Sequence, residues 1–138
     1  MRKRTLAREY ALQILYQIDM TKDIPDKALD NFWLNHKDEE ISSDLKDFTA
    51  SLVKGSVDNM EAIDKKIAQY AENWQLKRMA VVDRNIMRIG CFELIYCKDI
   101  PPKVSINEAV ELAKKFSGAE AGKFVNAIMD KVKIEKEK

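Results

Sequence analysis

The amino-acid sequence predicts an all-α protein, about seven helices in one compact domain. Three observations predict it. Only four Gly and three Pro interrupt 138 residues, while Ala, Lys, Glu, Leu and Ile are abundant. Apolar residues recur with a helical period along nearly the whole chain. No stretch alternates apolar and polar residues as a half-buried strand would.

The first helix is predicted from about Thr5 to Met20, with Leu6, Ala7, Tyr10, Ala11, Ile14, Leu15 and Ile18 on one face. Arg8, Glu9 and Gln13 fall outside that arc. So do Leu12 and Tyr16, which form a second ridge at i, i+4, to be covered by another helix or by a partner. A short helix follows over Pro25 to His36, with proline in its first turn and Ala28, Leu29, Phe32 and Trp33 inward. The polar run HKDEEISSD is a loop in which Ser42 or Ser43 caps the next helix. Two helices are expected near 44–56 and 59–73, the second capped by Asp58 with Glu61. Trp74 extends the apolar pattern of the second.

MAVVDRNIMRIGCFELIYCKD is a further helix whose second half is apolar on almost every side, which places it at the centre of a bundle. Arg88 and Glu93 interrupt that run and read as a buried ion pair rather than a catalytic pair. DIPPK ends this helix. Ser105 to Glu108 reads as a capping box, opening a helix with Ile106, Ala109, Val110, Ala113 and Phe116 inward. SGAEAG is a turn. A last helix carries Ala121, Phe124, Val125, Ile128, Met129 and Val132, and the tail KIEKEK is expected to fray.

Net charge is +1, so no global field marks a polyanion binder. The distribution is uneven. Arg2, Lys3, Arg4 and Arg8 face a single acid, Glu9, in residues 1–18, whereas residues 19–47 hold nine acids and four bases. A second basic group lies in the last third, with Lys103, Lys114, Lys115 and Lys123. The opening MRKRTLAREYALQILYQIDM is not a secretion signal, because Arg8, Glu9, Gln13 and Gln17 break the apolar run. No stretch approaches the roughly 18 apolar residues of a membrane span. Cys91 and Cys97, six apart, face different ways on a helix and read as reduced buried thiols of a cytoplasmic protein.

Signals for catalysis are thin. His36 is the only histidine and sits in a polar, acidic stretch. There is no Glu-x-x-His, no Cys-x-x-Cys and no Gly-rich phosphate loop, so no metal, cofactor or catalytic residue is predicted. Signals for binding are better. Cations at a helix N-terminus oppose the macrodipole, and a purely structural design would put acids there. Arg2, Lys3, Arg4 and Arg8 therefore read as a phosphate hook. Lys123 beside Phe124, between Gly118 and the rest of the last helix, suits phosphate contact with base stacking, while periodicity also allows Phe124 as core.

AREYALQILYQID, NWQLKRMAVVDRNIMRIGCFELIY, IPPKVSINEAVELAKKF and KFVNAIMDKV together resemble the NusB family of bacterial transcription antitermination factors, in order and spacing, from Arg4 to about Val132. The resemblance implies two small helical bundles, about 1–57 and 58–134, within one domain spanning 1–138. It implies pairing with the ribosomal protein NusE, binding of the boxA element of nascent ribosomal RNA, and indirect association with RNA polymerase and other Nus factors. Matched positions assign RNA contact to Arg2, Lys3, Arg4 and Arg8, and to Glu120, Lys123 and Phe124, with Gln13 and Lys103 in neighbouring segments. They assign NusE contact to Asp83, and Tyr16 on the second ridge of the first helix is the other partner candidate. The resemblance allows a homodimer in the free state, in which self-association would hide the RNA surface, and leaves the oligomeric state open. A related domain fronts some ribosomal-RNA cytosine methyltransferases, but 138 residues leave no room for a catalytic domain, so a free-standing factor is expected. The alternative is a protein-interaction module of the transcription or ribosome-assembly machinery with little RNA binding of its own.

Overall fold

The computed structural model describes residues 2–71 and 79–137. Among these residues there are seven helices and no strand. They are α1 (Lys3–Thr21), α2 (Pro25–Asn35), α3 (Ser43–Asp58), α4 (Met60–Tyr70), α5 (Val81–Tyr96), α6 (Pro102–Phe116) and α7 (Ala119–Glu137). The chain divides after Asp58 into two compact units, the first built from α1–α3 and the second from α4–α7.

In the first unit α1 packs on both α2 and α3. Its residues Ala7, Ala11, Ile14 and Leu15 are buried, as are Ala28 and Leu29 of α2 and Leu52 and Val53 of α3. Tyr10 anchors an aromatic layer, 5.0 Å from the Phe32 ring and 6.0 Å from Trp33. His36 joins this layer: its ring stacks 4.0 Å from Phe32 and its Nδ1 lies 2.8 Å from the Phe32 carbonyl. Ser42 is the cap of α3, its Oγ accepting from the Leu45 N–H at 3.3 Å.

Three expectations for local structure are corrected here. Ala7 through Leu12 of α1 are all buried, so this turn has no solvent face, and Arg8, only 2% exposed, does not project from it. The second ridge splits, with Leu12 buried and Tyr16 exposed. Asp58 closes α3 instead of capping α4; the break falls at Asn59, whose carbonyl accepts from Ile63 N–H at 2.9 Å. The expected extension of α4 to 73, and Trp74, lie outside the described residues.

The second unit is organised around α5, which packs on α4, α6 and α7. Every residue from Asn85 to Leu94 is buried. Gly90 sits where α6 and α7 press closest: a Cβ there would stand 2.5 Å from Met129 Cε and 3.3 Å from Ala109 Cβ. Arg88 and Glu93, five residues and roughly 140° apart on the helix, each have a partner on another helix. Arg88 forks onto Asp64 of α4, Nε to Oδ1 and Nη2 to Oδ2, both at 2.8 Å. Its Nη1 donates to Asn85 Oδ1 at 3.1 Å. Glu93 accepts from the Ser105 hydroxyl at 3.0 Å.

That last bond overturns the capping box. Helix α6 begins three residues earlier, at Pro102, because Pro101 is extended and Pro102 has its φ pre-set for a first turn. Ser105 is then interior to the helix and 1% exposed, and its hydroxyl serves Glu93. The inward face of α6 shifts accordingly: Leu112 is buried, whereas Phe116 is 41% exposed. The tail does not fray through residue 137. Glu135 pairs with Lys66 of α4 at 2.8 Å, and Lys136 Nζ donates to the Leu94 carbonyl at the end of α5. Cys91 is buried as expected, but Cys97 at the C-cap of α5 is only partly so.

Two outcomes follow from this core. Arg88→Ala leaves the Asp64 carboxylate facing a gap and lowers unfolding free energy by about 2–4 kcal/mol in urea titration. The double replacement Arg88→Met with Asp64→Leu recovers most of that loss, because no charge is left uncompensated. Burial, reinforced by the Asp64 charge, pushes the Cys91 thiol up to about 12 from an ordinary 9.0. The unfolded chain therefore releases this proton first, so the stability tied to it is full below pH 9 and falls as pH rises towards 12. Urea titrations across that window should show a steeper loss in the native sequence than in Cys91→Ala.

Candidate nucleic-acid interface

The basic start of the chain is built on α1. Arg2 occupies the N-cap and Lys3 and Arg4 the first turn, all three exposed. The first turn contains no acid, and no side chain caps it. The Leu6 N–H closes it by donating to the Arg2 carbonyl at 3.0 Å. Helix α3 runs alongside, and its Phe48 ring lies under two guanidinium groups: Arg4 Cζ is 4.4 Å from the centroid and Arg8 Cζ 5.3 Å. Lys3, Arg4 and Phe48 share a concavity of about 500 Å³ with Asp44 and Asp47. Gln13 and Tyr16 are exposed further along α1, Tyr16 to 51%.

The second unit carries a concavity of about 440 Å³ between the start of α5 and the start of α7. Met79, Asp83, Ser117, Glu120 and Phe124 line it. Sequence matching assigned Asp83 to a protein partner and Glu120 and Phe124 to RNA; the fold brings all three together. Asp83 stands in the first turn of α5, where its charge complements the helix dipole. Among the described residues its buried Oδ1 has no hydrogen-bond partner. Phe124 is half-buried rather than core, with one part of its ring lining the concavity. Glu120 and Lys123 face each other at 3.5 Å and are both exposed. Lys103, exposed in the first turn of α6, does not line this concavity.

The glycines of the preceding turn have structural work here. Gly118 adopts φ +124°, a region L side chains avoid. A Cβ on Gly122 would stand 2.9 Å from Lys114 Cγ, so its absence lets α7 close on α6. Together they set the direction in which α7 presents Glu120, Lys123 and Phe124.

Sequence reasoning missed Phe48 as a site residue, because its apolar spacing on α3 marks it only as core. It missed Met79 and Ser117 as well, since nothing in their local pattern announces a shared concavity. Among the described residues no group of three or more His, Cys, Asp or Glu could hold a metal ion. None of the described helices is long and apolar enough to cross a membrane.

Comparison with known proteins agrees with this arrangement. The NusB family model matches residues 5–133. The transcription antitermination protein NusB of Desulfatibacillum aliphaticivorans is 44% identical over 134 residues, covering 97% of this chain and 92% of that protein. Its namesake in Thermodesulfovibrio yellowstonii is 39% identical over 138 residues, covering 94% and 91%. Among solved structures, T. maritima NusB superposes with a TM-score of 0.85 at 31% identity, over 98% of this chain and 92% of that one. A chain from a complex of the antitermination factors NusB and NusE with double-stranded RNA superposes with a TM-score of 0.86 at 30% identity, over 98% of both. With close relatives along nearly its whole length and the same helical fold, this chain belongs to the NusB family.

Proposed function

We propose that this chain is an RNA-binding transcription antitermination factor with no catalytic activity of its own. It pairs with the ribosomal protein NusE, binds the boxA element of nascent ribosomal RNA in the cytoplasm, and supports ribosomal RNA transcription with RNA polymerase and other Nus factors. The observation that carries this reading is family membership joined to the likeness to a solved NusB–NusE–RNA complex.

The exposed cations support a division of labour. Arg2, Lys3 and Arg4 take phosphates, and their contribution is electrostatic and indifferent to sequence. Arg8 acts from behind this group, stacked beside Phe48, rather than on RNA directly. In the second unit Lys123 adds a phosphate contact and the half-exposed Phe124 ring a stacking surface. Glu120 accepts from base N–H groups, as carboxylates do at base edges. Lys103 and Gln13 contribute at the margins. Tyr16 and Asp83 contact NusE, with the acid of Asp83 suited to a basic ribosomal protein. Because Asp83 shares a concavity with Glu120 and Phe124, the partner and RNA contacts adjoin in this unit.

Fluorescence anisotropy with boxA-type and scrambled RNAs, with and without purified NusE, tests this. Log affinity should fall linearly with log salt concentration, by about 0.7 per phosphate neutralised on a single strand. Arg4→Glu should weaken binding to both RNAs and flatten that slope, while NusE should raise preference for boxA. Salt-independent binding, or equal affinity for the two RNAs even with NusE present, would overturn the reading.

A further inference from the structure

We propose that the seam between α1 and α2 is a docking surface for the main chain of NusE, read by the side-chain amides of Gln17, Asn31 and Asn35. This rests on the preceding reading of Tyr16 as a NusE contact and extends that contact onto a second helix.

The outer face of α1 is the first observation. From Gln13 to Met20 its exposed positions are Gln13, Tyr16, Gln17 and Met20, which fall within an arc of about 100°. None of the four is charged, in a chain of which 34% is charged. The solvent face of a helix ordinarily carries its charges. Here it carries two amides beside Tyr16 and Met20, which are 51% and 66% exposed.

Helix α2 supplies the other wall. A concavity of about 40 Å³ lies along the seam, lined by Ile14 and Gln17 of α1 and by Ala28, Asn31, Phe32 and Asn35 of α2. Ile14 and Ala28 are buried, and the Phe32 ring is fixed by Tyr10 on one helix and His36 on the other. Gln17, Asn31 and Asn35 are exposed, and among the described residues none of their side-chain amides is engaged in a hydrogen bond. Asn31 and Asn35 stand one turn apart on α2. The contact of His36 Nδ1 with the Phe32 carbonyl closes the last turn of α2 and steadies the backbone that presents Asn35.

The chemistry of the seam selects its occupant. A carboxamide offers a donor and an acceptor, as a peptide unit does. A phosphate would need a cation, and neither Lys nor Arg lines the concavity. Its volume is room for on the order of three water molecules, enough for a short side chain but not for a nucleobase. Charge nearby acts in the same direction. Residues 19–47 hold nine acids and four bases, which draws a basic ribosomal protein and turns RNA away. The amides thus set the register of the partner's chain, while Tyr16 and Met20 beside them supply apolar area.

Isothermal titration of purified NusE into the full chain tests this. Asn31→Ala and Asn35→Ala remove amides at exposed helical positions where alanine is the better helix former, so thermal melts should hold or rise slightly. Each should weaken NusE binding about two- to ten-fold, the scale of one lost hydrogen bond. The loss should persist from low to high salt, since neutral amides are not screened. RNA anisotropy without NusE should be unchanged. Gln17→Ala, on the other helix, repeats the measurement if an α2 variant unfolds. Native NusE affinity in a folded Asn31→Ala/Asn35→Ala double variant would overturn the inference, as would a loss that vanishes at high salt. A fall in RNA affinity without NusE would assign the seam to RNA and overturn it too. Tyr16→Ala separates the two readings. If it weakens NusE binding while the amide variants do not, the inference alone fails; if it also has no effect, the assignment of α1 to NusE fails with it.

Discussion

A helix buried on every side must either be wholly apolar or bring a partner for each polar group it carries, and α5 takes the second course. From Asn85 to Leu94 every residue is buried, yet the stretch includes Asn85, Arg88 and Glu93. Each of these three is answered by a specific side chain. Asp64 on α4 accepts from Nε and Nη2 of Arg88 and Asn85 itself from Nη1, and Ser105 on α6 donates to Glu93. An uncompensated charge at such depth costs more than most apolar contacts return, so these pairings select one rotation of α5 and one register of its neighbours. Gly90 acts in the same direction by sterics, because α6 and α7 close on the face where it has no side chain. The polar pairs and the glycine thus orient the second unit, and that orientation brings Asp83 at the start of α5 to the same concavity as Glu120 and Phe124.

The binding chemistry follows from a contrast between the units. In the first unit Arg2, Lys3 and Arg4 stand exposed at one helix end, while acids in residues 19–47 keep the whole chain near neutrality. In the proposed reading, a few such charges give modest, salt-sensitive affinity rather than indiscriminate adhesion to polyanions. The second unit offers an aromatic ring and the carboxylates of Asp83 and Glu120, which repel phosphate and accept from N–H donors. In the proposed reading, the first unit contributes mainly affinity and the second mainly discrimination, with Lys123 adding a phosphate contact.

Much of the fold was legible because it is written in local signals. Pro25 opened α2, Ser42 capped α3, and the continuous apolar run announced α5 as central. The failures came where two local signals competed or where the answer lay far along the chain. Ser105–Glu108 has every feature of a capping box, but the pre-set φ of Pro102 starts the helix a turn sooner, and the same serine then finds Glu93 twelve residues away. The tail looked too polar to stay ordered, and its helix is held by Lys66 and by the Leu94 carbonyl, partners that no window of the tail contains. Arg88 and Glu93 read as structural from the sequence, but their partners Asp64 and Ser105 lie on other helices and no window of α5 contains them.

The site shows the same limit more sharply. Composition and the helix dipole singled out Arg2, Lys3, Arg4 and Arg8 as a group, since cations in that position lack a structural reason to be there. Periodicity could not divide them. Only the packing of α1 separates an exposed Arg4 from a buried Arg8, and only α3 supplies the ring that touches both. Phe48 was visible in the sequence as one more apolar residue at helical spacing. Its contact with both arginines depends on which side of α3 meets which turn of α1, a relation between residues forty or more positions apart. Charge can be read from a sequence residue by residue, whereas the burial of a charged side chain and the ring it meets are set only by the fold.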